Sequence, residues 1–232
     1  MTQRDEQVAI PDEGSMTMTV WTPAAGSGPG LLLIQEIFGV GPYIRAVGER
    51  LADAGYVVGA PDLFWRFAPG YQAGHDEDGL AEAMQQAGNI DPARAVTDSV
   101  AALEHLGGLA ETAGRPGVIG FCLGGTLAFG VAAADDPAVC ISYYGSGVPG
   151  MLEQIPDVSC PTLFHFGAED AYIPAEGVEA LAGAMAPHMV LNIEAAGHAF
   201  DNHESAMFWN ESAAKAAWSK TMAFLAEHHP VA

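Results

Sequence analysis

Apolar residues occur in two spacings along this chain, and the two alternate. Residues 17–21 alternate polar and apolar, which predicts a half-buried strand in an antiparallel start to a sheet. Residues 31–34 read Leu-Leu-Leu-Ile, the unbroken run of a strand covered on both faces. Similar runs at 56–60, 118–121, 139–144, 162–166 and 189–193 predict five further strands. Helices are predicted between them at about 43–54, 91–106, 123–133, 175–185 and 204–227, with a short, weakly patterned one at 80–87. Asp91 suits an N-cap and Pro92 the first helical position. Residues 63–79 read as irregular, with Pro69, Gly70, Gly74 and Gly79, and long connections of this kind often line binding sites.

Strands that alternate with helices from residue 31 onward predict an α/β fold, with a mainly parallel central sheet and helices on both faces. The Pro/Gly/Ser/Ala stretch at 23–30 is too short for a linker and reads as a turn. No internal repeat or shift of composition breaks the pattern. Residues 1–232 therefore read as one domain, with 1–15 as an N-terminal extension or edge segment.

Charge narrows the choice of partners. Twenty-nine acidic residues against eight basic ones give a formal charge of −21. Nucleic acid and anionic membrane surfaces both require positive charge, so neither is an expected partner. The acidity fits a saline habitat or a solubility strategy. The first residues lack a basic stretch followed by an apolar run, and no apolar run has the length of a membrane span, so a cytoplasmic protein is expected. Cys122, Cys140 and Cys160 are an odd, sparse set without a CxxC pair, which argues against a disulfide framework and a cysteine-rich zinc site. The expected form is a monomer or a weak homo-oligomer.

The candidate chemistry centres on Gly120-Phe121-Cys122-Leu123-Gly124, an apolar strand turning sharply into a helix. Gly-x-Cys-x-Gly is a thiol version of the nucleophile elbow. The helix behind it aims its first N–H groups at the apex, which favours a thiolate and a nearby oxyanion. In folds of this kind ligands bind beyond the C-terminal ends of the strands. Glu36, Cys122, Asp170 and His198 each follow a predicted strand and so share one rim. Taken singly, Asp170 also fits a turn or helix cap, His198 a surface loop and Glu36 a solvated carboxylate. Taken together, the order Cys122, Asp170, His198 is the nucleophile–acid–base order of α/β-hydrolases. His198 would move the thiol proton, Asp170 would orient the imidazole, and the N–H groups of Ile37 and Leu123 would bind the oxyanion. His75 sits among Asp76, Glu77 and Asp78 and reads as part of a solvated acidic loop rather than a metal ligand. Gly39-x-Gly41 lacks the third glycine of a dinucleotide loop and a phosphate-loop lysine.

Several segments carry a family resemblance. Gln35-Glu36-Ile37-Phe38-Gly39, Pro61-Asp62-Leu63-Phe64, Gly120-Phe121-Cys122-Leu123-Gly124-Gly125, Tyr143-Tyr144-Gly145 and Ala196-Gly197-His198-Ala199-Phe200 resemble the dienelactone hydrolase family, in the same order and across about residues 16–227. The resemblance implies an α/β-hydrolase fold, a Cys122-His198-Asp170 triad and no metal or organic cofactor. It also implies that Glu36 contacts the cysteine and takes its proton once substrate is bound. The family's typical reaction opens the lactone ring of a dienelactone to maleylacetate, a step in chlorocatechol breakdown. Phe38 and Tyr144, within these segments, are expected to bind substrate.

One departure bears on the substrate. The family holds the substrate carboxylate with two arginines, one before the long helix and one four residues after the catalytic histidine. Here Asn202 stands at the second position, and residues 76–86 contain no arginine. Arg66, after a strand on the same rim, is the expected substitute. The sequence thus predicts a cysteine hydrolase of small-molecule esters or lactones. The alternative is a hydrolase-fold binding or redox-sensing protein with a reactive Cys122 and no ester turnover.

Overall fold

The two spacings separate into layers in the computed structural model, which describes residues 1–231. β1 (Thr2–Ile10) and β2 (Gly14–Thr22) form an antiparallel hairpin. β3 (Gly28–Ile34), α1 (Pro42–Asp53), β4 (Val57–Pro61), α2 (Glu77–Ala87) and α3 (Pro92–Gly108) follow. The second half holds β5 (Thr112–Phe121), α4 (Leu123–Asp135), β6 (Cys140–Tyr143), β7 (Thr162–Gly167), α5 (Ala175–Ala184), β8 (Met189–Glu194) and α6 (Glu211–His228).

The strands make one eight-stranded sheet in the order β1-β2-β4-β3-β5-β6-β7-β8. β2 runs antiparallel to both β1 and β4, and every other pair is parallel. Every residue of β3, β4, β6 and β7 is buried, as unbroken apolar runs require when helices cover both faces. α1 and α6 share one face, where Arg50 stacks 3.5 Å from the ring centroid of Trp218. α3 and α4 pack on each other and on β5. No helix among the described residues is long and apolar enough to cross a membrane.

Two boundaries differ from the sequence reading, and the N-terminal extension or edge segment takes the form of a strand. Residues 2–10 are a paired edge strand, exposed along most of their length, which is why no apolar pattern marks them. α2 begins at Glu77, because the Asp76 side chain caps it by accepting from Gly79 N at 2.8 Å. α6 begins at Glu211 rather than 204. Asn210 caps it, accepting from Ala213 N at 3.1 Å, and residues 199–209 form turns that bury Asn202 and Ser205.

The topology also places the crevice. β3 lies between β4 and β5, so the chain leaves β3 to one side and returns on the other. Ligands bind beyond the carboxyl ends of strands at such a switch point. Ile34 of β3 pairs with Gly120 of β5, so Glu36 and Cys122, each two residues further on, emerge side by side.

The elbow reaches β3 closely enough to exclude side chains. A Cβ on Gly124 would overlap the Ile34 and Gln35 carbonyl oxygens, and one on Gly120 would overlap the Gly124 carbonyl. Gly124→Ala is therefore expected to destabilise the protein by about 2 kcal/mol or more, since backbone cannot move aside as a flexible side chain can. Urea denaturation measures this. A variant about as stable as wild type would show that the elbow does not need the close approach.

Candidate active site

Cys122 occupies the apex between β5 and α4, with φ 54° and ψ −114°. A non-glycine residue holds such a backbone only when its surroundings enforce it. Here Cys122 N donates to Tyr143 O at 3.0 Å and Cys122 O accepts from Thr126 N at 3.2 Å, fixing both sides of the residue. The thiol is part-exposed, whereas Cys140 and Cys160 are buried. Tyr144 and Ala199 also have positive φ, 39° and 50°; the other two such non-glycine residues among those described, Asp12 and Asp136, lie elsewhere, in the β1–β2 turn and at the end of α4.

The loops after β7 and β8 bring in the partners. His198 Nε2 lies 3.1 Å from Cys122 Sγ, and His198 Nδ1 lies 2.7 Å from Asp170 Oδ2. The other Asp170 oxygen accepts from Tyr172 N at 2.8 Å, which fixes the carboxylate. Burial disfavours a charged imidazole, but hydrogen bonds to Asp170 and Cys122 outweigh it and raise His198 to about 10. The three side chains form one continuous hydrogen-bonded line from acid to thiol.

Glu36 is buried beside this line. Its Oε1 accepts from Asn202 Nδ2 at 2.8 Å and lies 3.2 Å from His75 Nε2, while Oε2 has no partner among the described residues. Burial pushes its carboxyl above the ordinary carboxylate range, and the hydrogen bonds from His75 and Asn202 offset that rise only in part. Cys122 Sγ lies within hydrogen-bond distance of His198 Nε2, while Glu36 Oε1 is engaged by Asn202 and His75. A second buried carboxylate, Asp201, accepts from Tyr43 OH at 2.8 Å, and Tyr43 OH lies 3.2 Å from Tyr144 OH. Burial raises Asp201 to about 7, against the opposing effects of Tyr43 and Arg50.

A cavity of about 270 Å³ opens onto Cys122, His198 and Glu36. Ile37, Phe38 and Leu123 line it, together with Leu80 and Met84 of α2 and the rings of Tyr172 and Phe208. Among the described residues, no lysine or arginine lines it. The Ile37 and Leu123 amides border the cavity without an acceptor among the described residues. Among those residues, too, no group of three or more His, Cys, Asp or Glu side chains is placed to hold a metal ion.

Two expected substrate contacts are corrected. Arg66 does not face the cavity. Its guanidinium spans Asp98, at 2.7 Å and 3.0 Å, and also pairs with Glu13, so it is committed to joining the β1–β2 turn to α3. Tyr144 is fully buried and does not line the cavity; its ring packs behind His198 at a centroid distance of 5.3 Å. His75 is the residue that the sequence reading assigned to solvent and the fold brings to the site. Its only sequence signal is a histidine in an irregular loop beyond a strand rim.

A parallel sheet with a strained thiol elbow at its switch point, and a histidine and aspartate from the last two strand ends, defines an α/β hydrolase. The comparisons agree at a finer level. The model of the dienelactone hydrolase family matches residues 16–229. A carboxymethylenebutenolidase from a Pseudomonas species is 35% identical over 212 residues, covering 90% of this chain and 89% of that protein. A carboxymethylenebutenolidase from Rhodococcus opacus is 33% identical over 219 residues, with 86% and 81% covered. The crystal structure of dienelactone hydrolase from Anabaena variabilis shares the fold, with a TM-score of 0.72, 20% identity and 98% of each chain covered. The chain belongs to the dienelactone hydrolase family and is a hydrolase of ester or lactone bonds.

The line from Asp170 to Cys122 has a spectroscopic consequence. In wild type the His198 imidazole is expected to titrate near 10. In Asp170→Asn the carboxylate partner is gone and the midpoint falls, by about one pH unit or more. ¹⁵N NMR of the histidine ring reads both values. An unchanged midpoint would mean that Asp170 does not hold the imidazolium.

Proposed function

We propose that the protein hydrolyses small, uncharged esters or lactones through a Cys122-His198-Asp170 triad and a thioester on Cys122. The observation that carries this reading is the hydrogen-bonded line Asp170–His198–Cys122, whose thiol end opens into an apolar cavity. The proton held on His198 is the one the thiol gives up. The thiolate sulfur attacks the carbonyl carbon, and the developing oxyanion is met by the Ile37 and Leu123 N–H groups. As the tetrahedral centre collapses, the C–O bond breaks and the leaving oxygen takes the proton from His198. In a lactone that oxygen stays tethered as a hydroxyl. Water then attacks the thioester, His198 receives its proton, and the acid departs as Sγ is regenerated. Glu36 on the cavity wall favours the positive charge on His198 through both steps when it is ionised, and the charge on His198 in turn lowers the Glu36 carboxyl.

The uncharged substrate follows from the lining. A buried carboxylate needs a paired cation, and the charged side chain that borders the cavity apart from His198 is Glu36 itself. Arg66 is unavailable, and Asn202 spends its amide on Glu36. Carboxymethylenebutenolides, for which those relatives are named, carry a carboxylate, so the proposed preference departs from theirs.

Two measurements test the reading. Cys122→Ala is expected to lower kcat/KM on a small activated ester by about 10³-fold or more, and mass spectrometry of wild type quenched during turnover should find an acyl group on Cys122. Full activity in the variant would end the triad mechanism. For specificity, paired esters or lactones differing by one carboxylate are compared. The neutral member should be favoured by about tenfold or more. Equal or faster turnover of the anionic member would overturn the uncharged-substrate argument while leaving the triad in place.

A further inference from the structure

His75 lies one residue before the cap of α2, the helix that supplies Leu80 and Met84 to the cavity. Its side chain is nearly enclosed, with 7% of its surface exposed. The ring packs on Phe38 at a centroid distance of 4.4 Å, and Nε2 lies 3.2 Å from Glu36 Oε1. Asn202 Nδ2 already donates to the same oxygen, and wherever Glu36 is ionised that oxygen can only accept, which makes the histidine nitrogen the donor. We infer that His75 is a positioning residue of the site, whose Nε2–H holds Glu36 as an ionised carboxylate on the cavity wall.

The contact is not needed to anchor the loop. The His75 carbonyl accepts from the buried Ser205 Oγ at 3.3 Å, Ala73 N donates to Phe38 O at 3.2 Å, and Gly79 packs directly on Gly74. With the loop secured on its backbone side, the imidazole is free to serve Glu36. That service has a clear physical purpose. Glu36 is fully enclosed and its Oε2 has no donor, so burial favours its neutral form. Titratable groups reach it from several elements. His198 and Asp201 come from the loop after β8, Tyr43 from α1, Tyr144 from the loop after β6, and Cys122 from the elbow that lines the same cavity. Of these, only His198 can carry positive charge, and it is already shared between a thiol and Asp170. Asp201 opposes ionisation of Glu36. Asn202 donates without charge. His75 is thus the donor that tips Glu36 toward the ionised form, and the same contact couples α2 to the state of the site.

The inference rests on the proposed triad only in making His198 the group on which Glu36 acts. The test therefore reads Glu36 directly. ¹³C NMR of the Glu36 carboxyl, assigned with Glu36→Gln, follows its titration, and kcat/KM is profiled against pH in parallel. His75→Phe keeps a ring against Phe38 and removes the donor; His75→Gln keeps a donor. In His75→Phe the Glu36 midpoint should rise by about one pH unit or more, and the acidic limb of the rate profile should rise with it. His75→Gln should return both toward wild type. An unmoved Glu36 midpoint in folded His75→Phe, or a His75→Gln that behaves as His75→Phe does, overturns the inference. Wild type supplies a check that needs no variant: ¹⁵N NMR must find a proton on His75 Nε2 wherever Glu36 is ionised, and a bare Nε2 there overturns it equally. A Glu36 midpoint that moves while the rate profile stays fixed would instead count against Glu36 acting on His198, and so against the proposed mechanism alone.

Discussion

The close approach of the elbow to the end of β3 is the constraint on which the site depends. Gly120 and Gly124 let the first turn of α4 lie against the Ile34 and Gln35 carbonyls. The same contact forces Cys122 into its positive-φ conformation and lifts its sulfur out of the sheet. It also brings Ile37 and Leu123 to one cavity, where the proposed mechanism uses their N–H groups together. Parallel pairing of β3 with β5 then sets Glu36 beside Cys122 without any further device. The strained backbone of Cys122, the placing of its thiol and the neighbouring buried glutamate are consequences of one backbone contact.

Around that contact the electrostatics are arranged in pairs. Three carboxylates, Glu36, Asp170 and Asp201, are buried within one region of a chain whose formal charge is −21. Each has its own means of bearing that burial. Asp170 shares its charge with His198 and a backbone amide. Asp201 accepts from Tyr43 and feels Arg50, yet is raised to about 7, so its charge is only partly compensated. Glu36 has His75 and Asn202 on one oxygen and nothing on the other. Of the three, Asp170, in line with Cys122, has both oxygens hydrogen-bonded.

Strand ends were legible from sequence because their signal is local. An apolar run followed by Gly, Asp or Glu states both the strand and the exit from it, and Cys122, Asp170 and His198 are all read that way. What sequence could not supply was the destination of side chains that reach across the fold. Arg66 stands after a strand, as a substrate-binding residue would, but Asp98 of α3 and Glu13 of the hairpin turn capture it. Residues 204–210 have helical composition, yet Asn210 caps α6 and Ser205 is used to anchor a loop more than a hundred residues away. His75 sits in an acidic segment that composition assigns to water, and only the packing of Tyr71 to His75 against Gly39 and Phe38 turns it inward. These are long-range hydrogen bonds, and no periodicity encodes them.

The exchange of charge for amide at position 202 has the widest consequence. An arginine there, as in the resembling family, would give Glu36 a permanent cation and give an anionic substrate a second one. Asn202 satisfies the same oxygen of Glu36 geometrically, at 2.8 Å, but adds no charge. Two requirements that one arginine would meet are thereby separated. The requirement of Glu36 passes to His75, whose loop is drawn in by Phe38 and Ser205. The requirement of a substrate carboxylate passes to nothing along the cavity, whose wall is completed by Leu80, Met84, Tyr172 and Phe208. A carboxylate brought there would meet Glu36 at close range in a medium that screens poorly, with desolvation uncompensated. On the proposed reading, Asn202 keeps the hydrogen bond to Glu36 while the cavity lining offers an anion no cation, so the chemistry of the family and its substrate charge would be separable properties of this fold.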